Sequence, residues 1–193
     1  PITLELSLDN GSTWTALAGP LANTPSMWSW VPRQLNAAAA KIRISAIDTA
    51  GNSNQLTSPA FVLDAVAPGV ASLQVNAGAS LTNNPVLALS WGAVSSTFTR
   101  LCINVNDVLV ANCAWSSTTT LPTTLTLTGA DGLRTLSAWL ADDAGNVSPV
   151  VTSNGIFLDQ TAPTAAWLSP AGGESWGSGQ TQTVRFTAAD THA

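Results

Sequence analysis

The two cysteines, Cys102 and Cys113, are the residues whose spacing most directly indicates chemistry. In a hairpin with a two-residue turn at 107–108, paired positions sum to 215 (102 + 113), which sets the two cysteines opposite each other. Opposed Cα atoms of an antiparallel pair lie about 4.5–5.5 Å apart, within disulfide range. A turn at 106–107 lowers the sum to 213 and removes this opposition. The spacing predicts a disulfide and an oxidising compartment, with two buried free thiols as the alternative.

Side chains that could perform catalysis are scarce. The chain has one histidine, His192, and its two glutamates are Glu5 and Glu174. A second histidine that could complete a metal set with the cysteines is missing from the sequence, and nothing favours the paired carboxylates of a glycosidase. We therefore expect no enzymatic activity.

The composition indicates a globular protein with a weakly charged surface. Of 193 residues, 45% are hydrophobic and 9% are charged, with 6 Lys and Arg against 11 Asp and Glu. Clusters of basic residues are what nucleic-acid binding requires, so no nucleic-acid partner is expected. No run of about 18 apolar residues is present, so no membrane insertion is expected either. A surface built from Ser, Thr, Asn and Gln favours an extracellular or cell-surface location.

The sequence contains an internal repeat. Residues 41–68 match residues 133–163, and five pairs of positions align: Asp48 with Asp142, Gly51 with Gly145, Asn52 with Asn146, Asp64 with Asp159, and Pro68 with Pro163. The period is 94 residues at the glycine (145 − 51) and 95 at the proline (163 − 68). A period of this length suits a β-sandwich domain.

Alternating apolar residues and short apolar runs predict an all-β chain. They occur at 2–7, 13–17, 41–47, 86–91, 101–105, 133–140 and 181–187, separated by Gly, Asn, Asp and Pro. The helix-favouring run at 37–40 is too short to form a helix of its own. In the middle of the chain we expect strands at about 70–76, 86–91, 100–106, 109–115, 123–128, 133–140 and 150–158.

The repeat divides the chain into three parts. Residues 66–160 are predicted to form a complete domain, residues 1–65 the C-terminal portion of such a domain, and residues 161–193 the N-terminal portion. Together the two portions have 98 residues (65 + 33), one period. We therefore expect 1–65 to be completed by 161–193 of a neighbouring copy, either covalently or by strand addition. The alternative is a fragment with two frayed ends.

The stretch SLDNGSTW at 7–14 resembles the Asp-box hairpin of sialidase-type β-propellers. A propeller repeats that hairpin in most of its blades, but here it occurs once. We therefore interpret it as a local hairpin whose turn is made by Asp9 and Gly11. Trp14 is expected to point into the core.

Two motifs resemble the bacterial immunoglobulin-like repeats of large surface and secreted adhesin-type proteins. They are the loop motif, present as SAIDTAGNS and SAWLADDAGNVS, and the linker motif, present as LDAVAP and LDQTAP. The resemblance covers essentially the whole chain and implies tandem Ig-like antiparallel β-sandwiches in an elongated array. Turn chemistry explains the same motifs: Gly51 and Gly145 suit positive φ, Asn52 and Asn146 cap the turn, and Pro68 and Pro163 stiffen the linkers. These residues are predicted to be structural.

The resemblance also implies calcium between domains. In such repeats, linker and loop aspartates hold the ion, which needs six to eight oxygen ligands. The candidate ligands are Asp48 with Asp64 at one joint, and Asp142 and Asp143 with Asp159 at the other. The alternative is that these aspartates only accept hydrogen bonds in turns.

The eight tryptophans raise polysaccharide binding as a second hypothesis. Trp28 and Trp30 are expected to share one face of a strand, and Trp176 is expected to be the most exposed. Aromatic rings of this kind more often fill the core of a sandwich. The predicted function is a structural or interaction repeat unit of a bacterial extracellular rod or filament, for adhesion or surface spacing. Its alternative is an accessory carbohydrate-binding or spacer module of a secreted enzyme.

Overall fold

Antiparallel strands dominate the computed structural model, which describes residues 1–22 and 27–191. His192 lies outside these residues. The strands are β1 (Ile2–Ser7), β2 (Thr15–Leu21), β3 (Asn36–Ile47), β4 (Ser53–Thr57), β5 (Phe61–Asp64), β6 (Leu73–Val75), β7 (Leu81–Thr82), β8 (Val86–Trp91), β9 (Arg100–Val105), β10 (Ser116–Ser117), β11 (Thr124–Thr126), β12 (Gly132–Arg134), β13 (Leu136–Ala141), β14 (Val151–Thr152), β15 (Ile156–Leu158), β16 (Thr164–Ser169) and β17 (Arg185–Ala189). The all-β prediction is confirmed.

Helical structure is confined to two short 3-10 turns in the described part of the chain, Asn76–Gly78 and Val110–Asn112. No helix in residues 1–22 and 27–191 is long and apolar enough to cross a lipid bilayer.

One sheet occupies residues 2–64, with strand order β2-β1-β3-β4 and β5 paired to β3. Leu4 lies opposite Ile44 and Leu6 opposite Ile42, so the apolar alternation of both strands falls on one face. A small cluster of Leu6, Ala40 and Leu63 is buried there. The alanine run at 37–40 extends β3, because this segment pairs with β5.

The middle of the chain is a sandwich of two layers. One layer has the order β10-β9-β13-β14 and the other β11-β8-β6, while β12, β15 and β7 form a further three-stranded sheet. Leu136, Ala138 and Leu140 of the first layer face the same core as Leu87 and Leu89 of the second. Side chains from both layers exclude water between them, which is the stabilising arrangement of an Ig-like sandwich.

The strand expected at 109–115 is absent and that prediction is wrong. Asp107 accepts hydrogen bonds from Leu109 N (2.8 Å) and Asn112 Nδ2 (2.7 Å), which favours the 3-10 turn Val110–Asn112 over an extended strand. The hairpin partner of β9 is instead β10, with Ser116 opposite Leu101. The expected strand at 150–158 is likewise divided, into β14 and β15.

The last described strands, β16 and β17, form a two-stranded sheet of their own. Ala165 lies opposite Ala188 and Trp167 opposite Phe186. Trp167 and Phe186 meet edge to face, with ring centroids 6.2 Å apart, yet they are 69% and 64% exposed.

Candidate functional site

The loop at residues 142–146 joins the middle sandwich to the linker before it. Asp142 Oδ1 accepts a hydrogen bond from Asn146 N (2.9 Å), and Asp142 Oδ2 accepts one from Asn146 Nδ2 (2.9 Å). The same Asn146 Nδ2 also donates to the main-chain oxygen of Asp64 (3.2 Å). One amide group therefore closes its own loop and holds the linker that enters the domain.

The corresponding loop at 48–52 has the same internal geometry. Asp48 Oδ1 accepts hydrogen bonds from Ala50 N (2.9 Å) and Asn52 N (2.8 Å), and Asp48 Oδ2 accepts one from Asn52 Nδ2 (2.8 Å). The Asn52 amide, with these main-chain donors, holds the pKa of Asp48 below its ordinary value. Gly51 has φ of 91°, which a glycine adopts without strain. The two loops are one structural element used twice.

Each outgoing linker is held by a polar residue that sequence reasoning missed. Ala65 N donates to Asn36 Oδ1 (3.1 Å), and Gln160 N donates to Asp131 Oδ1 (2.8 Å). The two acceptors are 95 residues apart (131 − 36), and so are the two donors (160 − 65). The repeat period was the signal that could have found them.

Asp131 holds its linker at two points. Its Oδ2 accepts hydrogen bonds from Thr161 N (3.1 Å) and Thr161 Oγ1 (2.5 Å). Asp131 and Asp142 stand at opposite ends of the segment that contains β12 and β13. The middle sandwich thus forms hydrogen bonds to its incoming linker at one end and to its outgoing linker at the other.

This arrangement corrects the expected pairing of the aspartates. The loop of the middle domain meets Asp64 of the preceding linker rather than Asp159, because the chain enters a sandwich and leaves it at opposite ends. In residues 1–22 and 27–191, no group of three or more His, Cys, Asp or Glu side chains is placed to hold a metal ion. Asp143 is exposed. Calcium at these joints stays a prediction of the sequence.

The two linker prolines have different surroundings. Pro68 is among the fully buried residues, whereas Pro163 is exposed. Asp142 is likewise buried at 7% exposure, whereas its counterpart Asp48 is exposed. The joint at which the linker enters the middle sandwich is therefore buried at Pro68 and Asp142. The corresponding residues Pro163 and Asp48 are exposed to solvent.

The stretch at 7–14 folds as a hairpin around Asp9. Ser7 Oγ donates to Asp9 Oδ1 (2.7 Å), Thr13 N donates to the same oxygen (2.8 Å), and Thr13 Oγ1 donates to Asp9 Oδ2 (2.5 Å). Gly11 N donates to Ser7 Oγ (2.7 Å), and Gly11 has φ of 98°. Asp9 and Gly11 lie in the turn, where the sequence places them.

Trp14 does not enter the core, and that expectation is wrong. Its Nε1 donates to Gly11 O (3.0 Å), which holds the ring beside the turn. The Arg43 guanidinium lies 4.3 Å from the ring centroid, and Arg43 Nε donates to Glu5 Oε2 (2.7 Å). Glu5 alternates with Leu4 and Leu6, so this cation–π stack is on the outer face of the sheet.

The hydrogen bonds to Asp9 are expected to lower the pKa of its carboxyl group. The Thr13 hydroxyl, the Thr13 N–H and the Ser7 hydroxyl together lower the pKa of Asp9 from 3.8 to about 2. Because the folded-state pKa is lowered, the carboxylate's contribution to stability is complete above its unfolded pKa and is lost as the pH falls through 3.8 toward 2. We expect Thr13→Val to raise the pKa of Asp9 toward its ordinary value in a carbon-13 NMR titration. Ser12→Ala is the control, and an equal shift in both variants would contradict this assignment.

Trp28 and Trp30 do not alternate on a strand as expected, since residues 27–35 form none. Trp30 packs against the cluster of Leu6, Ala40 and Leu63, whereas Trp28 is 39% exposed. Trp176 is 45% exposed, less than Trp167 at 69%. Polysaccharide binding stays a prediction of the sequence.

Cys102 and Cys113 are joined in a disulfide with a Cα–Cα distance of 5.7 Å. Cys113 lies in the loop at 106–115, and Cys102 lies opposite Trp139 in the sheet. The bond therefore ties the loop to β9, on the face of the sheet that points away from the core and beside Trp139 of β13. All six residues of β13 are buried, because both of its faces are covered.

Two solved structures are similar to this chain in fold. Fibronectin(III)-like modules of Clostridium thermocellum CbhA match with a TM-score of 0.39 and 15% identity, over 81% of this chain and 77% of that chain. The FN1-FN3 domains of chicken CNTN1 match with a TM-score of 0.34 and 11% identity, over 100% of this chain and 76% of that chain. At these identities the likeness concerns the fold alone. No family model and no curated protein matches the sequence.

Proposed function

We propose that this chain is a structural repeat unit of a bacterial extracellular rod or filament that serves adhesion or surface spacing. The observation that carries the proposal is the joint at Asp64, which is fixed from both sides. Asn146 of the following sandwich donates to the carbonyl oxygen of Asp64, and Asn36 of the preceding sheet accepts a hydrogen bond from the next residue's N–H. A linker held at both ends transmits force and orientation between domains better than a free one.

Two further features support an extracellular location of the chain. The disulfide between Cys102 and Cys113 suits an oxidising compartment. The surface has few charges, since only 9% of the residues are charged. The proposed role is non-catalytic: the middle sandwich covers its own core, and the chain offers sheet faces and edges to neighbours.

The proposal is tested by hydrogen exchange of the linker amides at micromolar protein concentration. We expect Asn146→Ala to raise the exchange of the amides of residues 64–67 about five-fold to ten-fold, because one hydrogen bond contributes about 1 kcal/mol. Asn52→Ala is the matched control, since it removes the corresponding amide from a loop that does not contact this linker. Linker amides that exchange as fast in the wild-type chain as in a free peptide would overturn the stiff joint and the proposed role.

A further inference from the structure

The first sheet presents apolar side chains at positions that the middle sandwich buries. Ile44 corresponds to Ala138 (138 − 44 = 94), and the exposed fractions are 41% and 0%. Leu56 corresponds to Val151 (151 − 56 = 95): Leu56 is 69% exposed, whereas Val151 packs against the core. Ile44 and Leu56 pair directly, so they share one face. We call this the open face: the exposed Ile44 and Leu56, with the half-buried Ile42 and the buried Leu4 beside them on the same side of the sheet.

In the middle sandwich, the layer β11-β8-β6 covers the corresponding face. Leu73, Leu87 and Leu89 of that layer lie in one core with Leu136 and Ala138. The first sheet has no such layer among residues 1–22 and 27–65. Instead a groove of about 250 Å³ lies along the open face, with Trp28 and Met27 at its rim.

The hairpin β16–β17 has the complementary deficiency. Phe186 corresponds to Trp91 in β8 (186 − 95 = 91), which packs against the core of the middle sandwich. The pairs Ala165–Ala188 and Trp167–Phe186 place four apolar side chains on one face of this hairpin, while the other face carries the pair Ala166–Thr187. Trp167 and Phe186 are mostly exposed. The hairpin therefore has the position of β6 and β8, and residues 161–191 hold no further sheet for it to cover.

The hairpin and the open face of one chain are kept apart by the middle sandwich. The linker that leads to the first sheet is bound beside Asp142, and the linker that leads to the hairpin is bound by Asp131. About ten residues of extended chain separate these two points, which corresponds to about 30 Å. The hairpin that can reach this open face is therefore one that belongs to another copy of the 193 residues.

We propose that the β16–β17 hairpin of a second copy docks on the open face and completes the first sheet as a two-layer sandwich. This inference rests on the proposed function in taking a second copy as the partner. In the complex, Trp167 and Phe186 of the second copy cover Ile44 and Leu56. Because hairpin and open face are different surfaces, the contact is head to tail and can continue into a filament.

Docking also supplies a strand partner for residues 29–31. These residues correspond to β11 (124 − 95 = 29), which pairs with β8 in the middle sandwich. They form no strand in the single chain, and residues 181–183 of the second copy, which lead into β17 and correspond to 86–88 of β8 (181 − 95 = 86), take the place of β8 beside them. At the new joint, Asn52 Nδ2 donates to the carbonyl oxygen of Asp159 of the second copy, as Asn146 does to Asp64 (159 − 64 = 95). Pro163 of the second copy is then enclosed as Pro68 is.

The first experiment measures self-association of the whole 193-residue chain by analytical ultracentrifugation over a wide concentration range. We expect reversible association, and we expect Trp167→Asp and Leu56→Asp each to weaken it about 30-fold or more, as at an interface hot spot. Both side chains are 69% exposed in the single chain, so both variants retain their fold. The matched controls are Thr187→Asp and Gln55→Asp, which alter the opposite faces of the same strands and leave association unchanged.

The second experiment mixes the two impaired variants. Leu56→Asp retains an intact hairpin and Trp167→Asp retains an intact open face, so the mixture forms a one-to-one dimer that cannot grow further. Amides of residues 29–31 in the Trp167→Asp chain become protected from exchange in that dimer. A wild-type chain that stays monomeric, a mixture that forms no dimer, or controls as damaging as the two variants would each overturn the proposal. A free linker at residues 64–68 overturns the proposed function instead and leaves the docking intact.

Discussion

Leu136→Ala is expected to lower the free energy of unfolding of the middle sandwich by about 2–5 kcal/mol. Leu136 is 0% exposed and lies in a core that both layers contribute to, so its truncation leaves a cavity that neighbouring strands cannot fill. Ile42→Ala, at the corresponding position of the first sheet (136 − 42 = 94), is expected to cost about 1 kcal/mol in the dilute chain. Its side chain is only half-buried there, so less apolar surface returns to water.

Urea denaturation followed through the amide signals of residues 66–160 and of residues 1–65 measures the two costs separately. Leu133→Ala is a control for the first variant, because Leu133 is 59% exposed and adjoins the same strand. Equal costs for Leu136→Ala and Ile42→Ala in the dilute chain would mean that the first sheet already has a complete core. We further expect the cost of Ile42→Ala to rise at concentrations where the chains associate.

Removal of the disulfide is the second large effect. Replacing both Cys102 and Cys113 by alanine is expected to lower the free energy of unfolding of the middle sandwich by about 2–3 kcal/mol, since the bond closes a loop of about a dozen residues in the unfolded chain. Part of this loss of stability arises in the folded state rather than in the unfolded chain. Without the bond the loop at 106–115 is no longer tied to Cys102, which lies opposite Trp139, so we expect Trp139, now 4% exposed, to become more accessible to solvent.

Urea denaturation with and without a reducing agent measures this effect. The exposure of Trp139 is obtained from the difference in acrylamide quenching between the chain and its Trp139→Phe variant, because the chain has eight tryptophans. The reducing agent should not change the urea midpoint of the double alanine variant, because that variant has no disulfide to reduce. This control distinguishes loss of the bond from other effects of the reducing agent. An unchanged midpoint on reduction of the wild-type chain would contradict the stabilising role of the loop.

The elements that the sequence predicts well are those fixed by short-range rules. Alternating apolar residues predicted β8, β9 and β13, because a half-buried strand has a period of two. The D-x-A-G-N loops were predicted as turns, because Asp48 and Asp142 accept main-chain hydrogen bonds within four residues. These interactions need no knowledge of what packs on either side.

The errors have two physical origins: one is a local turn held by a side chain, and the others are contacts between residues far apart in the sequence. The strand predicted at 109–115 assumed a two-residue turn, but the Asp107 carboxylate stabilises a local 3-10 turn instead. The apolar character of Trp14 predicts a position in the core. In the structure the guanidinium of Arg43 instead stacks on the Trp14 ring at the outer face of the sheet. Asn36 and Asp131 look like ordinary loop residues until the linker returns beside them.

The contact between Asn146 and Asp64 has a consequence for the conditions in which such a chain can work. The amide nitrogen and the main-chain oxygen that meet across the joint are both uncharged. Dissolved ions screen interactions between exposed charges, but they leave a hydrogen bond between neutral groups almost unaffected. The joint should therefore be equally stiff at low and at high salt concentration. A rod built from such joints would keep the same end-to-end length when the salinity around it changes.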